Sequence, residues 1–436
     1  MPPQKKQPLS RQIIAWCLYD WANSAFALTV MAGFFPVFFK TYWNSGVDPV
    51  VSTVRLGYGN SIAGLCIALC APLLGALADA GRAKKKLLIF FALTGASLSG
   101  VLSLIGQGSW FTALLIYMAA LICFTSANLF YDSLLSDVAE PQQFDFVSSL
   151  GFGLGYLGCG LLFLFNVVLI SHPQWLSDGS KTTAVQQSFI SVFIWWIIFS
   201  LPLFFFVRER ATIVSRPLLH TVKQALCQLV ETFKAIRSNR RILFFLLAYW
   251  LYIDGLNTFI VMAGDFGLSI GLTTESLLRA LLVVQFVAFP SSIIFGLLAK
   301  RFGAQKMILV GLIIYSVVCA GGTLLIKNAL HYTILAALVG SAQGGVQALS
   351  RSFFARLIPL GRAAEYFGFY NLVGKSAVIL GPALVATVTL LLKNGGYSHT
   401  MAVRFGMSTL TVLFVAGAIF LLSADHSTNH RQNKPL

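Results

Sequence analysis

The sequence predicts an all-α membrane protein with twelve transmembrane helices, arranged as two parallel six-helix halves, and with both termini in the cytoplasm. Three observations lead to this fold class: the composition, the number of apolar runs and a repeat between the halves. Of the 436 residues, 57% are hydrophobic and 11% are charged, whereas an average soluble protein is about 45–50% apolar and about 25% charged. This composition leaves no stretch for a soluble catalytic domain, so an enzyme is not expected.

Polar clusters divide the apolar part of the chain into runs that are each long enough for a span of about 20 residues. The first run exceeds the ~7–15 residues of a signal-peptide core, so we expect it to stay in the protein. The predicted helices cover about residues 12–40, 56–79, 87–106, 110–138, 146–171, 187–207, 242–266, 276–299, 306–326, 330–358, 365–392 and 400–423.

Basic residues set the predicted orientation. The net charge is +16, and most Lys and Arg residues fall in loops on the side of both termini, which places that side in the cytoplasm. The bases flank apolar runs and form no patch with interleaved aromatic residues, so nucleic acid is not an expected partner. The cysteines and histidines show no metal-ligand spacing and no Walker loop occurs, so neither a metal nor another cofactor is predicted.

The longest connection between helices divides the chain. We predict an N-terminal half over residues 1–207, a cytoplasmic linker over 208–241, a C-terminal half over 242–423 and a polar tail over 424–436. Within the linker, apolar residues recur at helical spacing from 218 to 236, with Lys and Arg between them. This pattern predicts an amphipathic helix on the membrane surface, and a calmodulin-type target is the alternative.

An internal repeat relates the two halves. Three residues of the first predicted helix recur in the seventh at a constant offset of 234 positions: Trp16, Asp20 and Asn23 match Trp250, Asp254 and Asn257. A second element, made of Gly75, Asp79 and Arg82, follows the second helix and has a weaker counterpart after the eighth. Two parallel halves are the architecture of major facilitator transporters. The Gly75 element resembles the signature of that superfamily, which implies a role at the seam between the halves.

At a finer level the chain resembles one family of that superfamily, the unknown major facilitator family, which includes the fungal vacuolar amino-acid efflux proteins first named for autophagy. The similar motifs are YDWANSAF at 19–26, FYDSLL at 130–135, GFGLGYLG at 151–158, GGVQALSRS at 344–352, RLIP at 356–359 and EYFGFY at 365–370. The resemblance runs over nearly the whole chain. It implies a major facilitator fold and transport of amino-acid-like solutes, with a cargo that differs between members.

Four ionisable residues lie deep in predicted helices: Asp20, Asp132, Asp254 and Lys375. Charge inside the bilayer is costly, so each is a candidate for function. The i,i+3 spacing from Asp20 to Asn23, repeated from Asp254 to Asn257, places an acid and an amide on one helix face. We expect these faces to line a central cavity in which one acid takes up a proton. Alternatively, each Asp bonds a neighbouring helix and fixes packing.

Lys375 is the only base that we predict deep in a helix. It either forms a structural ion pair with one of the three aspartates or offers a cation to a substrate carboxylate. An aspartate would offer an anion to an amine, so a zwitterion such as an amino acid would satisfy both charges. The predicted site also includes neighbouring aromatic residues: Trp16, Tyr19, Trp250 and Tyr370.

Two predicted cytoplasmic loops carry opposite charge, which suggests a gate of salt bridges between the halves. The acids of the loop after the fourth helix are Asp137, Glu140 and Asp145, and the charged residues of the loop after the tenth are Arg351, Arg356, Arg362 and Glu365. We predict that Arg351 pairs with Asp137. Solvated loop ends are the alternative, because exposed pairs contribute only ~0–1 kcal/mol.

The sequence thus predicts a monomeric secondary active transporter for a small zwitterionic solute, which works by alternating access with protons as the coupling ion. Transport of drug-like or siderophore-like molecules is the alternative within this class. A membrane receptor or a lipid scramblase on the same fold is the alternative outside it. Short loops and tails favour a bacterial inner membrane, and the expected partners are the solute and the lipid bilayer.

Overall fold

The computed structural model describes residues 9–81, 83–176, 179–210, 229–359, 361–377 and 379–432. These residues form an all-helical bundle, and no β-strand occurs among them. Arg82 lies outside the described residues, as do the linker residues 211–228, which hold most of the predicted amphipathic helix.

Eleven helices of the described chain are long and apolar enough to cross a membrane. They are α1 (Arg11–Trp43), α2 (Val51–Gly81), α3 (Lys84–Leu104), α4 (Trp110–Val138), α5 (Phe144–Ser171), α6 (Lys181–Phe206), α7 (Arg240–Ser269), α8 (Glu275–Phe302), α9 (Ala304–Leu325), α11 (Ala363–Asn394) and α12 (His399–Ala424). A further long helix, α10 (Ala329–Leu357), is more polar, because it carries Gln343, Gln347 and Arg351. With α10 the helices follow the predicted order, and the count of twelve spans stays a prediction.

Two helices differ from their predicted limits for identifiable reasons. The predicted start of α6 is 187, but the helix begins at Lys181, because the Ser180 side chain caps it by accepting a hydrogen bond from the Thr182 N–H at 3.2 Å. The second difference is in α11, which is predicted as one helix. It consists of two segments, Ala363–Ser376 and Leu380–Asn394. Pro382, which has no backbone N–H, lies in the first turn of the second segment, and side chains of α7 replace the backbone partners that are lost at the break.

Two helix crossings make the most extensive contacts between the halves. Within the N-terminal half α1 packs on α5 and α6, and within the C-terminal half α7 packs on α12 and α8 packs on α10. Between the halves, α2 packs on the first segment of α11, and α5 packs on α8. The two crossings are equivalent, because α2 in the first half corresponds to α8 in the second, and α5 corresponds to α11. Parallel repeats produce this relation.

Glycines set how closely the helices approach at these crossings. A Cβ at Gly75 of α2 would lie 2.2 Å from the carbonyl oxygen of Ala364 in α11. A Cβ at Gly296 of α8 would lie 2.5 Å from the Cβ of Ser149 in α5. Both distances are too short for a side chain, so only glycine allows the backbones to come this close. Gly75 therefore lies at the seam between the halves.

One end of the bundle, which we call the basic end, carries these residues: Lys84, Lys85, Arg210, Arg356 and Arg362. A short helix of the linker, residues 229–238, lies there. Its Thr232 and Ile236 are buried, whereas Val230 and Phe233 are exposed. Arg362 Nη2 donates a hydrogen bond to Thr232 Oγ1 at 2.5 Å, so this part of the linker is attached to the start of α11.

Candidate functional site

A buried arginine joins the two halves. Arg351 lies in α10, two turns before the helix ends at Leu357, and is only 2% exposed. Its guanidinium contacts two carboxylates of the other half: Nη1 lies 3.0 Å from Asp132 Oδ1 in α4, and Nη2 lies 3.4 Å from Asp20 Oδ2 in α1. These three residues, which we call the Arg351 cluster, connect the halves near the basic end.

Neighbouring groups satisfy the remaining polar atoms of the cluster. The Tyr131 hydroxyl donates to Asp20 Oδ2 at 2.8 Å. Arg351 Nε donates to Ser148 Oγ at 2.8 Å, and its Nη2 donates to the Ser148 carbonyl oxygen at 3.0 Å. The guanidinium carbon also lies 4.3 Å from the centre of the Phe152 ring. A planar guanidinium suits this combination of hydrogen bonds and stacking better than a lysine ammonium would.

The sequence prediction for Arg351 is wrong in its location and its partner. It placed Arg351 at a loop end beside Asp137 and named Lys375 as the only deep base. The helix continues past Arg351, as its predicted limits require, but the Arg351 side chain enters the bundle between Asp20 and Asp132. Burying an unpaired charge is strongly destabilising, so a guanidinium in this position requires carboxylates next to it.

Three predicted site residues of α1 surround the cluster. The Trp16 ring stacks on Tyr131 with centroids 4.4 Å apart, and its Nε1 donates to the Tyr131 carbonyl oxygen at 3.0 Å. The Tyr19 ring lies 5.0 Å from the same tyrosine, and both Trp16 and Tyr19 are fully buried. Asn23 donates to the side-chain oxygen of Asn128 in α4. Trp16 and Tyr19 therefore pack around the cluster and do not line an open surface.

Asp254 of α7 caps the second segment of α11. Its Oδ2 accepts the N–H of Leu380 at 2.9 Å, and its Oδ1 accepts the N–H of Gly381 at 3.0 Å. Asn257 Nδ2 donates to the carbonyl oxygen of Ala377 at 3.4 Å, on the other side of the break. These bonds replace the partners that helix ends lack. Asp254 is 0% exposed, so the geometry favours the packing alternative for this acid.

In the described chain, the remaining residues of the predicted solute site in the C-terminal half have no charged partner. Lys375 lies at the end of the first segment of α11, and in the described part of the chain no carboxylate lies within 4.0 Å of its ammonium. The predicted ion pair between Lys375 and an aspartate is therefore not formed. Tyr370 is buried and stacks on Tyr249 with centroids 4.1 Å apart, and Trp250 is half-buried against the core.

Asp79 connects the halves at the basic end. Its Oδ2 accepts the backbone N–H of Glu365 at 2.8 Å, so it caps the first turn of α11 from α2. Lys84 Nζ lies 3.2 Å from Asp79 and 3.3 Å from Asp137. Asp137 is thus paired within the N-terminal half, which leaves it no role as the partner of Arg351.

The other loop charges are paired in a way that changes the predicted gate. Glu140 pairs with Arg210 at 2.8 Å, and Glu365 pairs with Arg362 at 3.0 Å. Each of these contacts stays on its own side of the seam. Arg356 and Asp145 form an ion pair that crosses it. In the described chain, the predicted loop gate is therefore reduced to Arg356 and Asp145, beside the Arg351 cluster.

Sequence reasoning missed a second polar contact between the halves. The Tyr156 hydroxyl of α5 donates to Gln347 Oε1 of α10 at 2.8 Å. Gln343, Gln347 and Arg351 recur at every fourth position, and this spacing was the available indication, because it places all three on one face of α10. Among the described residues, no three His, Cys, Asp or Glu side chains are grouped so that they could hold a metal ion.

Comparison with known proteins defines the class. The fold resembles the solved structure of the human organic anion transporter MFSD10 (TETRAN), with a TM-score of 0.69 at 14% identity, over 95% of this chain and 100% of that one. The chain is also 40% identical to an MFS-type transporter, so the protein is a multi-pass membrane transporter of the major facilitator type.

The family follows from the sequence matches. The family described as "Vacuole effluxer Atg22 like" matches residues 9–434, and the chain belongs to it, which confirms the resemblance that the motifs indicated. The chain is 40% identical over 423 residues to the MFS-type transporter YxiO of Bacillus subtilis, covering 96% of each. It is 23% identical over 471 residues to autophagy-related protein 22 of Eremothecium gossypii, covering 92% of this chain and 90% of that one.

Proposed function

We propose that the protein moves a small zwitterionic, amino-acid-like solute by alternating access and that protons drive this movement. The Arg351 cluster is the observation that carries the proposal. One guanidinium of the C-terminal half meets two carboxylates of the N-terminal half inside the bundle. Charges in such a position are costly, and they mark the pathways of solutes and protons.

The cluster supplies charges that match a zwitterion. While Arg351 contacts Asp20 and Asp132, α10 is held against α1 and α4 and the basic end is closed. When the halves part, each half is left with unpaired charge. The ammonium of a zwitterion matches the carboxylates, and its carboxylate matches the guanidinium. Lys375, which has no carboxylate beside it in the described residues, offers a second cation.

Proton coupling follows from the charge balance of the cluster. Two carboxylates share one guanidinium, so the fully ionised cluster holds an excess negative charge in a buried place. A proton on Asp20 or Asp132 removes this excess and lowers the cost of withdrawing Arg351 from the acids. We therefore propose Asp20 and Asp132 as proton acceptors in preference to Asp254, whose oxygens are occupied by backbone N–H groups.

The relatives suggest the direction and the location. The matching family is described as a vacuole effluxer, and efflux from a vacuole delivers solute to the cytoplasm. A relative at 40% identity comes from Bacillus subtilis. At a bacterial inner membrane the same direction is uptake. We propose uptake by a monomer whose termini both face the cytoplasm.

A thermal-shift screen of the purified full chain tests the proposal. Amino acids, dipeptides and organic acids are compared at two pH values, because a ligand that binds only the folded state raises its melting temperature. We expect a pH-dependent response to amino acids that disappears in Asp20→Asn and persists in Asp254→Asn. The second variant is the control, because the Asn oxygen can still accept one of the two N–H groups that Asp254 caps.

Three other outcomes would contradict parts of this proposal. A response that is lost in Asp254→Asn and kept in Asp20→Asn would place the solute at α7 and contradict the assignment. Stabilisation by bulky aromatic or chelating compounds alone would favour a transporter of drug-like or siderophore-like molecules. A receptor or a scramblase would bind a ligand without concentrating it in vesicles.

A further inference from the structure

We propose that Tyr156 and Gln347 form the part of the solute site that selects solutes with a neutral hydrogen-bonding group, such as a hydroxyl or a carboxamide. This inference rests on the proposed function and deepens it. The charges discussed above would hold the ammonium and the carboxylate that all amino acids share. Discrimination between them needs groups that contact the variable part of the solute.

The position of Gln347 suits this task. Gln343, Gln347 and Arg351 lie on one face of α10, because they recur at every fourth residue. At 1.5 Å per residue, Arg351 lies roughly 9 Å and Gln347 roughly 15 Å from the end of α10 at Leu357. Gln347 is thus about one turn deeper than the cluster and near the middle of the 29-residue helix. Secondary transporters hold their cargo at this depth.

The facing helix carries a matching series. Ser148, Phe152 and Tyr156 recur at the same spacing on α5. Ser148 and Phe152 contact Arg351, and the Tyr156 hydroxyl donates to Gln347 Oε1 at 2.8 Å. Because α5 and α10 belong to different halves, the Tyr156 and Gln347 bond spans the interface that opens and closes during transport.

The pair has free hydrogen-bonding capacity on an accessible surface. Tyr156 and Gln347 are half-buried, whereas Val346 and Ala348 on either side of Gln347 are buried. Neither side chain of this contact between the halves is fully enclosed by the protein. In the described chain, no acceptor lies within hydrogen-bond distance of the Gln347 amide nitrogen, so its two N–H donors are available.

A glycine makes room for this arrangement. A Cβ at Gly344 of α10 would lie 2.9 Å from the Tyr156 ring and 2.8 Å from Ser292 Oγ of α8. The absence of a side chain there lets the tyrosine lie flat against α10 with its hydroxyl at Gln347. An amide and a phenol carry no charge, so they match a neutral polar group of the solute, whereas an aliphatic side chain leaves them without hydrogen-bond partners.

Binding of isosteric amino acids tests the inference. The melting temperature of the purified full chain is measured at increasing concentrations of each amino acid. The affinity for threonine is compared with that for valine, and the affinity for glutamine with that for methionine. We expect the wild type to bind the polar member of each pair about tenfold or more tightly, because an apolar solute leaves the site's polar groups unpaired. Tyr156→Phe and Gln347→Met should each remove most of this preference and keep the affinity for valine within about twofold.

A control variant and the outcomes that would contradict the inference complete this test. Tyr117→Phe removes a buried tyrosine hydroxyl of α4 in the N-terminal half, and it should leave the preference unchanged. If the wild type binds amino acids but does not prefer the polar member of each pair, the inference is wrong and the proposed function stands. The same holds if the variants weaken the binding of all four solutes equally. If the wild type binds no zwitterion, both are wrong. Melting temperatures without solute show whether the variants are folded.

Discussion

Asp20 and Asp254 occupy equivalent positions in the two halves but bind different groups. Asp20 contacts a guanidinium from the other half, whereas Asp254 accepts two backbone N–H groups from α11 of its own half. A carboxylate at a helix N-terminus is stabilised by the N–H groups and by the helix dipole. A carboxylate beside an arginine depends on that arginine. The two acids should therefore respond differently when their charge is removed.

Asp254 should tolerate an amide better than the loss of both side-chain oxygens. We expect Asp254→Asn to lower the melting temperature less than Asp254→Ala does, because the amide oxygen can still accept one of the two N–H groups. Asp254→Ala should lower the free energy of unfolding by about 0.5–2 kcal/mol, since Leu380 and Gly381 lose their acceptor. Thermal unfolding of the purified variants measures both effects. Equal destabilisation by Asn and Ala would show that Asp254 does not act as a cap.

Arg351 should be required for stability because it neutralises two buried acids. Arg351→Gln should lower the free energy of unfolding by about 3–5 kcal/mol, and adding Asp20→Asn and Asp132→Asn should restore most of the stability without restoring transport. Arg279→Gln breaks an exposed pair with Glu275 and serves as a control, with an expected loss of ~0–1 kcal/mol. A melting temperature of Arg351→Gln equal to that of the wild type would contradict a buried cluster.

At the scale of helices, the crossing of α2 and α11 depends on close backbone contact. Gly75→Ala should destabilise the protein by about 1–3 kcal/mol, because the added methyl group overlaps the carbonyl of Ala364. Gly64→Ala on the same helix is the matched control, since a Cβ there has nothing within 4 Å. Thermal unfolding of the two variants compares them directly. The crossing would be looser than described if both alanines were equally tolerated.

The helices also show how far a sequence predicts such a fold. Hydropathy located the helices because burial in lipid requires long apolar runs, and a polar cap such as Ser180 moved one boundary by only a few residues. Pro382, which has no backbone N–H, is a local indication of a bend in α11, but the group that caps the second segment, Asp254, lies in α7 and was not predictable from α11 alone. The depth of Arg351 was missed for the same reason, since its acids lie in α1 and α4. Local pattern predicts an element, whereas the partners of a buried charge depend on packing.

At the scale of the whole molecule, contacts join the two halves at the basic end, and the proposed alternating access requires them to break. Arg356 and Asp145 form an ion pair across the seam next to the Arg351 cluster. Reversing one charge, in Asp145→Arg or in Arg356→Asp, should reduce uptake several-fold, because like charges then face each other. Combining both reversals should restore uptake, as measured with a labelled solute in vesicles. Additive losses in the double variant would show that the pair is not a gate.

The central claim is that a proton gradient drives a zwitterionic solute through the Arg351 cluster, and uptake into proteoliposomes tests it most directly. Purified protein is reconstituted, a pH gradient is imposed, and accumulation of a labelled amino acid identified by thermal shift is followed. We predict accumulation above equilibrium in the wild type and in Asp254→Asn, and only equilibration in Asp20→Asn. Accumulation that persists in Asp20→Asn, or that is independent of the pH gradient in the wild type, would contradict this account.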